Sequence, residues 1–177
     1  AVDYAAENGH LHVIEWFKNV TDFRYTFRAV DHAAKRNHLN IVIWFKENTD
    51  FKYVSAVDHA AKEGYLNIIV WFKENTDFKY TVDAVYYAAR RGYLNIIIWF
   101  KENTDFKYRT YAINRAAEKG HLHIVTWFVN NTDFECVKFI RRVIDNADSD
   151  YNIRNAVDLV VGHMYRLGDV SKTDMIC

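Results

Sequence analysis

Histidine, cysteine and a recurring aspartate are the residue types in this chain with the most chemical potential. His10-x-His12 and His121-x-His123 are its only metal-like spacings. Each supplies two imidazoles and no cysteine or carboxylate placed as a third ligand, short of what zinc requires. The first histidine of each pair occupies a slot filled by tyrosine at Tyr65 and Tyr93, so no metal is expected. Asp22, Asp50, Asp77, Asp105 and Asp133 form a regular series. One carboxylate per turn is too few for calcium, which gathers about six to eight oxygens, and a turn or capping role is expected. Cys136 has no histidine at a fixed spacing. No glycine-rich phosphate loop, Gly-x-Ser-x-Gly elbow or His-Glu-x-x-His pair occurs. These residues predict no enzyme, no cofactor and no small-molecule substrate.

Charge is balanced, with 23 Lys and Arg against 23 Asp and Glu. No basic stripe supports binding of nucleic acid by backbone neutralisation. Arg90-Arg91 and Arg141-Arg142 are local pairs, expected on solvated helix faces and able to meet an acidic patch on a partner. No apolar run reaches the roughly 18 residues of a membrane span. Two cysteines exclude a disulfide framework and fit a reducing compartment.

A repeat organises everything else. Ala1, Ala29, Ala56, Ala84 and Ala112 stand 28, 27, 28 and 28 residues apart. Paired alanines recur from Ala5-Ala6 to Ala116-Ala117, and all five tryptophans share one slot, each followed by phenylalanine. A fixed period of this size marks a solenoid. Within Ala56–Tyr80 the alanine-rich stretch predicts a short helix over roughly 56–63 and the apolar spacing a second over roughly 66–74. Gly9, Asn37, Gly64, Gly92 and Gly120 separate the two helices. Gly and Asn accept a left-handed backbone, so a positive φ is expected even at Asn37. Asn-Thr-Asp turn formers end the second helix, and the Asn-x-Thr sequons are read as helix-end turns. One hairpin cannot bury its own apolar faces, whereas stacked neighbours can. The tryptophan slot is expected to stack as a ladder along the array. Tyr25, Tyr53, Tyr80 and Tyr108 are expected either to rim the binding side or to pack between repeats.

These residues resemble ankyrin repeats. Ser55-Ala56-Val57-Asp58-His59-Ala60-Ala61 takes the place of the Thr-Pro-Leu-His-x-Ala-Ala opening, and Gly9-His10-Leu11 and Gly120-His121-Leu122 match the Gly-His-Leu turn. The flavour is similar to short-repeat ankyrin proteins of giant DNA viruses of amoebae. The resemblance implies an all-α solenoid of stacked helix-turn-helix repeats. The period is about five residues short of ankyrin's usual 33 or so, which implies short or absent β-hairpin fingers. Five repeats are expected over residues 1–134. A C-terminal helical cap is expected over 135–168, with helices around Val137–Ile144 and Ile153–Met164 joined by a turn at Asp148-Ser149-Asp150. A flexible tail is expected over 169–177. Ala1 falls inside a repeat of ordinary internal type, so the chain is expected to be part of a longer array.

The varying slots of the first helices then become the candidate site. One series is Tyr4, His32, His59, Tyr87 and Arg115; the other contains Arg36, Glu63, Arg91 and Lys119. The resemblance places both on a concave groove. It implies a protein–protein interaction scaffold that binds a host or viral protein in the host cytoplasm or virion, as a substrate-recruiting arm for example. A structural component of a virion is the alternative, favoured by the near identity of repeats two to four. A catalytic domain upstream of Ala1 is a third possibility.

Overall fold

The computed structural model describes residues 1–133 and 151–167. Ten helices run in five pairs: α1 Val2–Glu7 with α2 Leu11–Val20, α3 Phe27–Lys35 with α4 Leu39–Asn48, α5 Ala56–Glu63 with α6 Leu66–Asn75, α7 Val82–Arg91 with α8 Leu94–Asn103, and α9 Thr110–Glu118 with α10 Leu122–Asn131. An eleventh, α11, spans Tyr151–Leu167. The protein is an all-α repeat solenoid, and the described linkers contain no strand. The expected segments around Val137–Ile144 and Asp148–Asp150, Gly168 and the tail lie outside the described residues. The helix expected over Ile153–Met164 is the core of α11, which packs on α9 and α10 and buries Ala156 and Val160.

Successive first helices approach one another most closely. Alanine makes this possible: the Ala33-Ala34, Ala60-Ala61, Ala88-Ala89 and Ala116-Ala117 pairs are all buried. The second helices carry larger groups. Phe45, Phe72, Phe100 and Phe128 are wholly buried, each beside its half-buried tryptophan. Unequal layers of this kind bend a stacked array toward its small-residue side.

The turn inside each pair has a positive φ at all five positions, 78°, 91°, 89° and 75° at Gly9, Gly64, Gly92 and Gly120 and 62° at Asn37. The N–H two residues past the helix end then reaches back to the second alanine-slot carbonyl, as in Tyr65 N to Ala60 O at 2.9 Å and Tyr93 N to Ala88 O at 2.9 Å. This is the 6→1 bond of a left-handed helix terminator. Asn37 meets the same demand, and its Oδ1 accepts from Asn67 Nδ2 of the next repeat at 3.0 Å. Glycine has a second reason to be there. The His or Tyr that follows the turn lays its ring on the glycine of the preceding repeat. A Cβ at Gly64 would lie 2.9 Å from Tyr93 Cζ, and one at Gly92 2.9 Å from His121 Cε1.

The second helices end on side-chain caps. Asn75 Nδ2 donates to Trp71 O at 2.8 Å and Thr76 Oγ1 to Phe72 O at 2.7 Å, and the same pair of bonds recurs at Asn48-Thr49, Asn103-Thr104 and Asn131-Thr132. Between repeats, the linker tyrosines take the second of their two expected places. Tyr25, Tyr53, Tyr80 and Tyr108 pack on the buried phenylalanine of the next repeat at centroid distances of 4.8, 4.7, 4.6 and 5.0 Å. Their hydroxyls bond the capping threonines Thr49, Thr76, Thr104 and Thr132. The tryptophans correct an expectation. They do not form a ladder of indole on indole; each meets the linker phenylalanine of the preceding repeat edge-on, as in Trp71 with Phe51 at 6.2 Å and Trp99 with Phe78 at 6.0 Å. Trp16 stands 57% exposed.

Gly64→Ala is expected to cost on the order of 1–3 kcal/mol, because it adds left-handed strain to a clash with the Tyr93 ring. Urea unfolding measures it. An unchanged midpoint would show that the turn relaxes and the ring moves aside.

Candidate partner-binding face

Side chains from the fourth, seventh and eighth slots of the first helices form one strip by register, and they touch one another between repeats one and two and between repeats three and four. Glu7 of the first repeat reaches His32 Nδ1 at 3.4 Å and Arg36 at 3.5 Å in the second. Glu63 of the third reaches Arg91 of the fourth at 3.3 Å. Lys62 Nζ lies 4.9 Å over the Tyr87 ring. In the fifth repeat Arg115 pairs with Glu118 at 2.5 Å and with the Tyr111 hydroxyl, and its guanidinium lies over the Tyr111 ring. The Glu118 carboxylate first, and Tyr111 second, hold that guanidinium charged well above its ordinary value.

The predicted residues therefore fall into pairs. His32 and Arg36 share one carboxylate, and Glu63 and Arg91 join neighbouring repeats. Tyr4 lies at one end of the strip, 71% exposed, far from Arg115 and the exposed Lys119 at the other. His59 is half-buried, with Nδ1 enclosed and unbonded. Ion pairs this exposed add little stability, so they orient the strip more than they hold it together. Glu7 and Lys62, which supply half of these contacts, were not among the predicted residues. Their slot varies as widely as the others, from Glu7 and Lys35 to Lys62, Arg90 and Glu118, and that variation was the signal.

A second set of residues behind the strip escaped the sequence reading altogether. Asp3, Asp31 and Asp58 share the third slot, and each carboxylate accepts two bonds from the start of the next first helix. Asp3 takes Thr26 N at 3.0 Å and Thr26 Oγ1 at 2.6 Å. Asp31 takes Val54 N and Ser55 N, both at 3.1 Å. Asp58 takes Thr81 N at 2.9 Å and Thr81 Oγ1 at 2.7 Å, while Thr81 Oγ1 accepts from Asp83 N and so caps α7. Asp31 and Asp58 are buried. Burial pushes both carboxyls above their ordinary value, while the bonds they accept and the nearby His59 pull the other way.

The rings of the paired histidines lie 6.0 and 5.9 Å apart, and among the described residues no three His, Cys, Asp or Glu groups gather as metal ligands. His121 is seated on Gly92, where burial lowers its pKa against a bond to the Arg90 backbone. The aspartates of the Thr-Asp-Phe series are exposed, and Asp50, Asp77 and Asp105 each pair with the lysine two residues on. No described helix is long and apolar enough to cross a membrane. No protein-family model and no curated protein sequence matches the chain.

The carboxylate staple gives a pH signature. A carboxyl whose folded pKa lies above its unfolded one contributes fully below the unfolded value, and that contribution is lost as pH rises through the folded value. Asp58→Asn deletes it. Urea midpoints at about pH 7 and about pH 5 are expected to show the native protein gaining on the variant as pH falls. A gap that narrows toward acid would mean that the bonds from Thr81 outweigh burial.

Proposed function

We propose that this chain is an ankyrin-type scaffold that binds a protein partner along its first-helix layer. One contrast carries the reading. The slots that hold the array together keep their residue types in nearly every repeat: the alanine pairs, the left-handed turn, the Asn-Thr caps (Val20-Thr21 in the first repeat) and the Phe-x-Tyr linker (Phe134-x-Cys136 after the fifth). The strip of fourth, seventh and eighth slots changes from repeat to repeat, through Tyr4, His32, His59, Tyr87 and Arg115 in its first series. A rigid frame holding a varied surface preorganises binding groups and lowers the entropy lost on association. Tyr and Arg are among the residue types that anchor interfaces. The resemblance to amoebal giant-virus proteins supports the host cytoplasm or the virion as its setting.

A second reading has its own observation. The second helices of repeats two to four are nearly the same, LNIVIWFKEN, LNIIVWFKEN and LNIIIWFKEN, and a face repeated this closely suits contact with many copies of one particle protein.

Affinity capture from amoeba lysate separates the two. The native chain is compared with a variant carrying Tyr4→Ala, Tyr87→Ala, Arg91→Ala and Lys119→Ala, and with a control carrying Lys52→Ala and Lys79→Ala in the linkers. One defined protein is expected with the native chain and the control, and at least about tenfold less of it with the strip variant at unchanged helicity. Loss with the control instead, or recovery of only viral particle proteins in every case, would transfer the function to the other face.

A further inference from the structure

The staple between first helices is given up at one junction. Tyr86 stands in the aspartate's slot in repeat four, and Arg109 stands where the next repeat would carry Thr or Ser. Arg109 makes no side-chain cap on α9. Both halves of the staple are thus replaced together. Tyr86 instead stacks on Tyr111, with centroids 5.4 Å and planes 11° apart. Tyr87 adjoins Tyr86 at 4.9 Å, and Arg115 covers Tyr111 at 4.6 Å. Tyr111 remains 44% exposed. A buried carboxylate contact has become an aromatic shelf open to solvent.

The strip gathers its cations at the same place. The seventh slot is Glu7 in the first repeat, facing His32 and Arg36, and a cation in the next three, Lys35, Lys62 and Arg90. The repeat register sets Lys35 against His59 and Glu63, Lys62 against Tyr87 and Arg91, and Arg90 against Arg115 and Lys119. At the junction of repeats four and five a cation therefore faces two cations. The two neighbouring carboxylates, Glu63 and Glu118, are engaged by Arg91 and Arg115, whereas Arg90 and Lys119 are exposed. Like charges gathered at this spacing repel one another and are relieved by an incoming anion.

We propose that the α7–α9 junction binds a short acidic segment of the partner protein, its carboxylates on Arg90, Arg115 and Lys119 and an aromatic or aliphatic side chain on the Tyr86–Tyr111 shelf. The inference rests on the strip being the interaction face. Packed helices lie roughly 8–10 Å apart, so two of them seat about four to six residues of extended chain. A longer polyanion such as a nucleic acid suits the layer poorly. Helix α1 carries Asp3 and Glu7 with no basic residue, and each of α2, α4, α6 and α8 balances one lysine with one glutamate.

Fluorescence anisotropy with the full chain tests this. The probe is a short labelled peptide of glutamates around one central tryptophan; its glutamine counterpart and a labelled oligothymidylate are the comparisons. The glutamate peptide is expected to bind and the glutamine peptide not. Arg90→Glu with Lys119→Glu is expected to weaken binding at least about tenfold and more than Arg36→Glu does, while Lys52→Glu with Lys79→Glu in the linkers leaves it unchanged. Both junction residues are exposed, and far-UV circular dichroism checks that the variant keeps its fold. Equal behaviour of the glutamate and glutamine peptides, or tighter binding of the oligothymidylate, overturns the acidic partner. Weakening by Arg36→Glu and not by the junction pair overturns the location and leaves the strip standing. Weakening by the Lys52 and Lys79 reversal overturns the strip as well.

Discussion

The spacing of the array depends on a ring seated on a backbone. In each described case the His or Tyr that opens a second helix lies against the glycine that closed the first helix one repeat earlier, so closely that a Cβ there would stand 2.8–2.9 Å from it. A contact with no side chain on one partner cannot be adjusted by a rotamer. It fixes the distance and register between hairpins, and the other inter-repeat bonds form in that register: the carboxylate staple, the tyrosine on the next phenylalanine and the linker phenylalanine on the next indole. Left-handed φ and close approach coincide at Gly9, Gly64 and Gly92, and Gly120 shares the left-handed φ. Asn37 fills the fifth slot with a left-handed backbone of its own and a bond to Asn67.

Each repeat is finished by a neighbour. Phe45, Phe72, Phe100 and Phe128 are wholly covered, each with a tyrosine packed on it from the repeat before. Stability in such an array is a sum of weak units and strong interfaces. The interfaces here are unusually varied in kind, combining alanine-to-alanine approach, aromatic packing and buried carboxylates. The carboxylates limit the stability gained. Burial opposes their charge, and the two bonds each accepts offset that cost. Their larger effect is on geometry, because a carboxylate that must meet two particular donors tolerates no slip between helices.

Most of the fold could be read from the repeat. The first helix of repeat three, the left-handed residue at Asn37 and the sequons as helix ends all follow from local residue chemistry, and each is found in the structure. The tryptophan slot was misjudged for a geometric reason. Adjacent residues on a helix point about 100° apart, so Trp and Phe cannot both face the core. Periodicity names the slot but not its direction, and the phenylalanine is the inward member. The aspartates of the third slot were missed because their partners lie 23 or 24 residues further on. Asp3 and Asp58 lie in the first turn of a short helix, where they already suit the helix dipole, and nothing local marks any of the three as a link to the next repeat. The seventh-slot residues were missed because only contact across repeats shows that they join the strip.

The junction between repeats four and five shows how the frame and its surface trade against each other. Natural sequences tend to break their own local rules where function requires it, and here one rule is broken on both sides at once. Tyr86 removes the carboxylate, and Arg109 removes the hydroxyl that donates to it at Asp3 and Asp58. The position in the array makes the exchange tolerable. Repeats at an open end fray most easily, but this junction is held from both sides, by the stapled α5–α7 contact before it and by α11 packed on α9 and α10 after it. The contacts on either side offset the staple given up there. The strip carries its aromatic shelf and its facing cations at a junction held by its neighbours.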